Sequence, residues 1–343
     1  MGSTTDRVDD WRLALLNDWQ QRFPLDREPF AVIARQLDVP TATVLTGYRG
    51  LLRDGTLSRI GGVFGAGAGG AALLAAMAVP AARLEAVAAI VSAHPGVNHN
   101  YERENELNLW FVMTGRDATR VELAMQALEQ ATAVPALRLR MQRAYRIDLG
   151  FDLRGRVAPG PAPVRSAQAT RPGPVSDEDW PLAALVEDGL PLVEHPFDAW
   201  AEALGCSVES VRSRLVRWLD QGTLKRFGAV VRHHELGYTS NAMTVFDVPD
   251  AEVDARGAAL AGQRGVTLCY RRERAPRWPY NLYCMVHGRD RASVHAVLEA
   301  AIADSGLQHA RREVLFSQRR FKQVGARRFR DAWLSSAEVA HAA

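Results

Sequence analysis

Residues 50–64 read GLLRDGTLSRIGGVF, and residues 217–231 read RWLDQGTLKRFGAVV. Gly55-Thr56-Leu57 aligns with Gly222-Thr223-Leu224 and Arg59 with Arg226, a displacement of 167 that also carries Phe30 onto Phe197 and Leu37 onto Leu204. Further along, Gly96-Val97 matches Gly265-Val266 and Tyr101 matches Tyr270 at 169. Asn108-Leu109 then matches Asn281-Leu282, and Gly115-Arg116-Asp117 matches Gly288-Arg289-Asp290, at 173. Matches that keep their order across small gaps mark an internal duplication. The growth of the offset places a short insertion in the second copy, around residues 275–279.

Outward from the repeat, each copy has two parts. Copy one opens with an apolar helical face at 11–23 and a second helix from Pro29. A turn follows at Leu37-Asp38-Val39-Pro40, then a third helix from the N-cap candidate Thr41 to Arg53, stopped by Gly55. Helix, tight turn, helix, then Gly-Thr-Leu and a strand is a winged helix-turn-helix pattern. Residues 71–79, 96–104, 106–115 and 136–147 read as strands, with helices at 81–94 and 117–132. The order β-α-β-β-α-β is the ferredoxin-like split unit. Copy two repeats it, with strands near 238–248, 264–273, 279–288 and 308–318.

The expected fold class is therefore α+β, as two tandem copies of a winged helix-turn-helix followed by a ferredoxin-like unit. The domains are 10–64 and 65–153 for copy one, a linker at 154–179, then 180–231 and 232–330 for copy two. The linker is dominated by Pro, Gly, Ala and Ser, which cannot build a core. Its length lets the copies sit side by side as a pseudo-dimer within one chain. Pairing of two such chains is left open.

The chain has 343 residues, 47% hydrophobic and 24% charged, a balance that supports two or more cores and excludes a disordered or collagenous chain. The longest apolar stretch, 71–82, is about half a membrane span and contains Pro80, so no membrane partner is expected. The N-terminus is polar and acidic, and three cysteines without Cys-x-x-Cys spacing give no metal ribbon. A reducing, cytoplasmic location is the expectation. Net charge is only +3, yet arginines and Lys322 crowd 311–330, which suits an anionic partner.

The helix-turn-helix invites a DNA-binding reading, but the third helix of copy one carries only Arg49 and Arg53, against Arg212, Arg214 and Arg217 in copy two. Two such unequal readers do not fit a palindromic site, and DNA binding is not expected. The distinctive residues lie elsewhere. In 97–104, VNHNYERE, strand alternation puts His99, Tyr101 and Arg103 on one face; Tyr270 and Arg272 repeat the row in 268–274, LCYRRER. Such a row is a poor apolar core and a good floor for a charged pocket.

A winged helix followed by this split unit, twice over, resembles the Lrp/AsnC regulators. More specifically, HNYERE with NLWFV, SRIGGVF, and CYRRER with WPYNLYCMVHGRD are similar to the siroheme decarboxylases of d1-type haem synthesis, in their fused two-copy form. The resemblance implies a lyase that removes the acetate carboxyl groups at C12 and C18 of siroheme, giving 12,18-didecarboxysiroheme and carbon dioxide. The substrate is siroheme, other tetrapyrrole-pathway enzymes are conceivable partners, and no cofactor is implied beyond the substrate's own iron. The alternative is a ligand-responsive transcriptional regulator of the Lrp/AsnC type.

Siroheme carries about eight carboxylates, for which arginine gives bidentate geometry. Candidate clamps are Arg59, Arg103, Arg226, Arg232, Arg271 and Arg272, with Tyr270 and Trp110 as further substrate contacts. His99 is the candidate proton donor and Tyr101 its candidate assistant, and no protein metal site is expected. Copy two has Leu268 in place of His99, so one competent pocket centred on copy one is the reading. His233-His234 offers at most one iron contact, because neighbours in a strand face opposite ways.

Overall fold

The computed structural model describes residues 4–147, 173–232 and 240–330. Copy one runs α1 (Thr4–Asn17), α2 (Pro29–Leu37), α3 (Thr41–Arg53), β1 (Leu57–Phe64), β2 (Ala71–Met77), α4 (Leu84–Ala93), β3 (Val97–Arg103), β4 (Leu109–Gly115), α5 (Ala118–Thr132) and β5 (Ala136–Ile147). Copy two runs α6 (Trp180–Asp188), α7 (Pro196–Leu204), α8 (Val208–Asp220), β6 (Leu224–Val231), β7 (Ser240–Asp247), α9 (Val253–Ala261), β8 (Val266–Arg272), β9 (Leu282–Gly288), α10 (Arg291–Asp304) and β10 (Arg311–Gln323). The protein is α+β and carries each kind of domain twice.

The compact units cut across the repeat. Among the described residues one unit holds 4–69 and 173–232, and the other holds 70–147 and 240–330. Each unit thus joins like parts of both copies.

In the first unit the helices start and stop where the sequence dictates. Pro29 and Pro196 open α2 and α7, where the missing N–H costs nothing. Asp38 and Gly205 end them in left-handed backbone at φ 53° and 61°. Ser207 caps α8 by accepting from the Ser210 N–H. Pro40, not Thr41, takes the cap position of α3, and no side chain caps it.

The first helix also ends earlier than its apolar face does, at Asn17. Its continuation turns the Trp19 and Gln20 carbonyls onto β6: the Ala229 N–H donates to Trp19 O at 2.9 Å, and a Cβ on Gly228 would lie 2.1 Å from that oxygen. β1 and β6, one from each copy, pair antiparallel around Gly61↔Gly228.

Of the expected linker, 173–179 is described and is docked. The Val175 N–H donates to Ala68 O at 2.7 Å, Thr223 Oγ1 donates to Gly173 O at 3.1 Å, and Asp177–Asp179 forms a 3-10 turn. The rest of it, and His233-His234, lies outside the described residues.

The second unit is a closed eight-stranded barrel in the order β10-β3-β4-β2-β5-β8-β9-β7. Each copy supplies the four-stranded ferredoxin-like order, and two long strands make the closure. β5 pairs with β2 through Leu73↔Arg140 and then with β8 through Ala144↔Tyr270. β10 pairs with β7 through Leu315↔Met243 and then with β3 through Arg320↔Tyr101. Closure leaves no unpaired strand edge, which either copy alone would expose.

Two apolar clusters lie between the sheet and its helices: Leu73, Phe111, Val87 and Met125 in copy one, and Phe246, Cys284, Leu260 and Leu298 in copy two. A third fills the barrel from both copies, including Trp110, Leu139, Met243, Trp278, Tyr283 and Leu315.

Candidate active site

Strand β3 sorts its residues cleanly between the two faces. Asn100 is buried and donates to Ala88 O at 3.2 Å and Ser92 Oγ at 3.0 Å, so it faces α4. His99, Tyr101 and Arg103 therefore face the barrel interior. The rings of His99 and Tyr101 stack at 6.3 Å and 20°, and the Arg103 guanidinium lies over Tyr101 at 5.6 Å. Trp110 is directly opposite Tyr101 on β4, buried in the interior cluster, and its indole N–H donates to Leu107 O. Arg320 pairs with Tyr101 from β10. The sequence-predicted His99, Tyr101, Arg103 and Trp110 are thus brought together.

Strand β8 repeats the arrangement. The Arg272 guanidinium lies over Tyr270 at 5.2 Å and over Tyr283 at 5.7 Å, and Tyr283 occupies the place of Trp110. Arg103 and Arg272 are matched in a further way. Arg103 of copy one donates from Nη1 to Leu315 O of copy two at 3.0 Å, and Arg272 donates from Nη1 to Leu139 O of copy one at 2.9 Å. Each fastens one copy to the other, and each leaves a buried Nε with no partner among the described residues. A buried, under-satisfied guanidinium is costly, and it is a ready donor for an anion.

The electrostatics follow from burial. Burial, and then the charge of Arg103, lowers the His99 pKa to about 4, so the imidazole is neutral near pH 7. Arg103 is itself lowered by burial, to about 10, and stays charged. Burial raises Tyr101 and pushes Tyr270 up to about 12.

Four expected clamps are not members of the row. Arg271 sits on the outer face of β8, between Tyr270 and Arg272, where it meets Asp250 at 3.3 Å and Asp254 at 3.6 Å. Strand alternation puts it there, and its carboxylates come from the chain itself. Arg226 belongs to the first unit, where it is buried and donates from Nη1 to Gln20 O at 2.7 Å and Ala229 O at 2.9 Å. Arg59 donates to Gly62 O at 3.2 Å and Arg232 to Gly55 O at 3.3 Å in that same unit. These three guanidinium groups hold backbone carbonyls of the winged-helix pair.

The barrel interior also holds residues that sequence reasoning missed. Leu282, Cys284 and Val286 of β9 join the helix-side cluster, so Tyr283, Met285 and His287 face inward. His287 is thus an interior histidine of copy two, on the strand next to Leu268, with Nδ1 3.0 Å from Thr267 Oγ1. The alternation of YCMVHG was the signal for it. The copy-two insertion folds into a tight turn closed by an Ala275↔Trp278 bridge, with Arg277 at φ 64°. That turn delivers Trp278 to Trp110 at 5.4 Å and lets its N–H donate to Tyr283 Oη at 2.8 Å.

Among the described residues, no three His, Cys, Asp or Glu side chains converge to hold a metal ion. An open cleft of about 770 Å³ in the first unit lies along α8, lined by Leu25, Asp26, Glu209, Arg212, Val216 and Asp220. It contains no member of the row.

Comparison with known proteins agrees with both halves of this architecture. The family pattern described as AsnC-like ligand binding domain matches 68–146 and 235–322, and that described as siroheme decarboxylase NirDL-like HTH domain matches 13–57 and 182–224. The siroheme decarboxylase NirDL subunit of Paracoccus denitrificans is 41% identical over 323 residues, covering 93% of this chain and 97% of that protein. The siroheme decarboxylase NirL subunit of Stutzerimonas stutzeri is 47% identical over 147 residues, 43% of this chain and 86% of its own length. A crystal structure of siroheme decarboxylase NirDL with an iron-uroporphyrin III analogue superposes with a TM-score of 0.66 at 27% identity, covering 97% of this chain and 99% of that one. With its winged-helix pair, its two-copy barrel and a relative matched end to end, the chain belongs to the siroheme decarboxylase family.

Proposed function

We propose that the protein is a carboxy-lyase that removes the acetate carboxyl groups at C12 and C18 of siroheme. The observation that carries this is the interior row of His99, Tyr101 and Arg103, repeated as Tyr270 and Arg272, in a chain 41% identical to a siroheme decarboxylase over nearly its whole length. At each acetate the bond to the carboxyl carbon breaks and carbon dioxide leaves. The electron pair enters the conjugated macrocycle, and one proton returns to make the methyl group. The macrocycle is its own electron sink, so this reading calls for no cofactor beyond the iron of the substrate.

Arg103 and Arg272 supply buried donors for the carboxylates that stay. His99 is the proton donor in this account, although it is neutral in the unliganded protein. The substrate corrects that: carboxylates beside the imidazole offset Arg103 and raise its pKa toward neutrality. Tyr101 supplies the ring on which His99 stacks. The test is anaerobic incubation of the pure protein with siroheme, read by mass spectrometry for the loss of two carbon dioxides per macrocycle.

The regulator alternative is weakened by the recognition helices. Arg212 donates to Leu25 O, Arg214 and Arg217 pair with Asp179 at 3.2 and 2.9 Å, and Arg49 donates to Leu192 O at 2.7 Å. Side chains tied down inside the unit make poor phosphate contacts.

A further inference from the structure

We propose that Asn98 and Thr267, equivalent residues at the bulges of β3 and β8, are positioning residues that hold Nδ1 of an interior histidine, His99 in copy one and His287 in copy two. The inference rests on the barrel interior being the decarboxylation site. The register of β3 on β4 slips between Val97 and His99, and that of β8 on β9 slips between Val266 and Leu268. Asn98 and Thr267 are therefore the extra residues of two matching bulges, the device by which a strand re-aims one side chain.

What the two residues touch is also matched. Asn98 Oδ1 lies 3.0 Å from His99 Nδ1, and Thr267 Oγ1 lies 3.0 Å from His287 Nδ1. The histidines themselves are not equivalent: His99 is on the bulged strand, His287 on the neighbouring one. The anchor position has been kept while the histidine has changed strands, which points to the anchor as the constant part of the design.

The chemistry fixes the tautomer. Thr267 has one hydroxyl proton, and it donates to Met285 O at 3.1 Å. Toward His287 the hydroxyl can then only accept, so Nδ1 carries the proton. The Asn98 carbonyl oxygen likewise only accepts, so His99 is an Nδ1–H imidazole. In His99, Nε2 is then the nitrogen that takes up and gives back a proton. The anchor bond survives protonation, because Nδ1 is a donor in the imidazolium too. Among the described residues, the charged and titratable groups beside His99 are Tyr101 and Arg103 on β3 and Arg320 on β10, while Val112 and Trp110 on β4 carry none.

The test uses the full chain. Tautomers are read from ¹⁵N shifts and two-bond couplings of the histidine rings in the unliganded protein, with His99→Gln and His287→Gln assigning the signals. Wild type should show Nδ1–H rings at both positions. Asn98→Leu and Thr267→Val should move the matching ring toward Nε2–H, while Asn98→Asp and Thr267→Ser should keep Nδ1–H. With siroheme, Asn98→Leu should lose about 10–100-fold in kcat with KM within about twofold, the scale for an outer partner of a working group. Asn98→Asp should restore most of that rate and should raise the pH at which His99 titrates.

An unchanged tautomer in Asn98→Leu or Thr267→Val would overturn the proposal, as would an equal loss of kcat in Asn98→Asp. Should Asn98→Leu not fold, the isosteric Thr267→Val decides. A wild type that leaves siroheme intact would remove the decarboxylase reading instead, and the ring signals would still decide on the anchors.

Discussion

At the scale of single residues, His99 combines two properties that pull apart. Burial and Arg103 keep it neutral near pH 7, yet the reaction asks it for a proton. The negative charge of the substrate resolves this by raising the imidazole pKa. His99→Ala should keep siroheme binding, because the buried guanidinium groups remain, and should lower turnover about 10²–10⁴-fold, as for a positioned acid or base. Equilibrium titration by the haem absorption bands, set beside single-turnover rates, separates the two. Loss of binding with shifted bands would make His99 an iron ligand instead.

Part of this was legible in the sequence. Two-residue alternation alone put His99, Tyr101 and Arg103 on one face, and the same alternation excludes Arg271 from the row. Arg226 could not be read that way, since its carbonyl partner at Gln20 lies 206 residues earlier in the chain. His287 was missed because a lone histidine after an apolar run shows its face only once the strand's core side is known.

At the scale of elements, the winged-helix pair keeps the form of a DNA reader while several of its arginines are engaged by groups of the same unit. Asp179 is buried and holds both Arg214 and Arg217, which restrains two of the three arginines of α8. The protein should show no salt-dependent, sequence-specific retention of duplex DNA at nanomolar concentration, measured by gel shift across salt. A steep loss of binding with rising salt would indicate several phosphate contacts and would contradict the structural role.

Strand and helix identities were readable from apolar periodicity, and the ferredoxin-like order followed from them. The join between copies was not. Nothing local in 136–147 or 311–323 says that each strand changes partner half-way, because that register depends on two segments far apart in the chain.

At the scale of the whole molecule, both compact units need both copies. Separately made 1–155 and 173–343 should each be prone to aggregate through exposed edges of β3, β5, β8 and β10, and should form a stable 1:1 complex on mixing. The second piece begins at 173 because 173–179 is docked in the fold. Sedimentation checks the stoichiometry, and restored turnover checks the site.

Acid stability follows from two histidines of copy one. Burial lowers His94 as well as His99 to about 4. Between about pH 6.5 and pH 4 the unfolded chain binds protons that the folded one refuses, so stability falls as pH falls through that window. The melting temperature should drop across it, and His99→Gln should remove part of the slope.

The central claim is that this barrel takes siroheme and returns it without two of its acetate carboxyl groups. Carbon dioxide released per siroheme under strict anaerobiosis, with the product mass taken from the same sample, tests it most directly. The account predicts two carbon dioxides per macrocycle and a product with methyl groups at C12 and C18. Siroheme that binds and is recovered with every carboxyl group in place would contradict it.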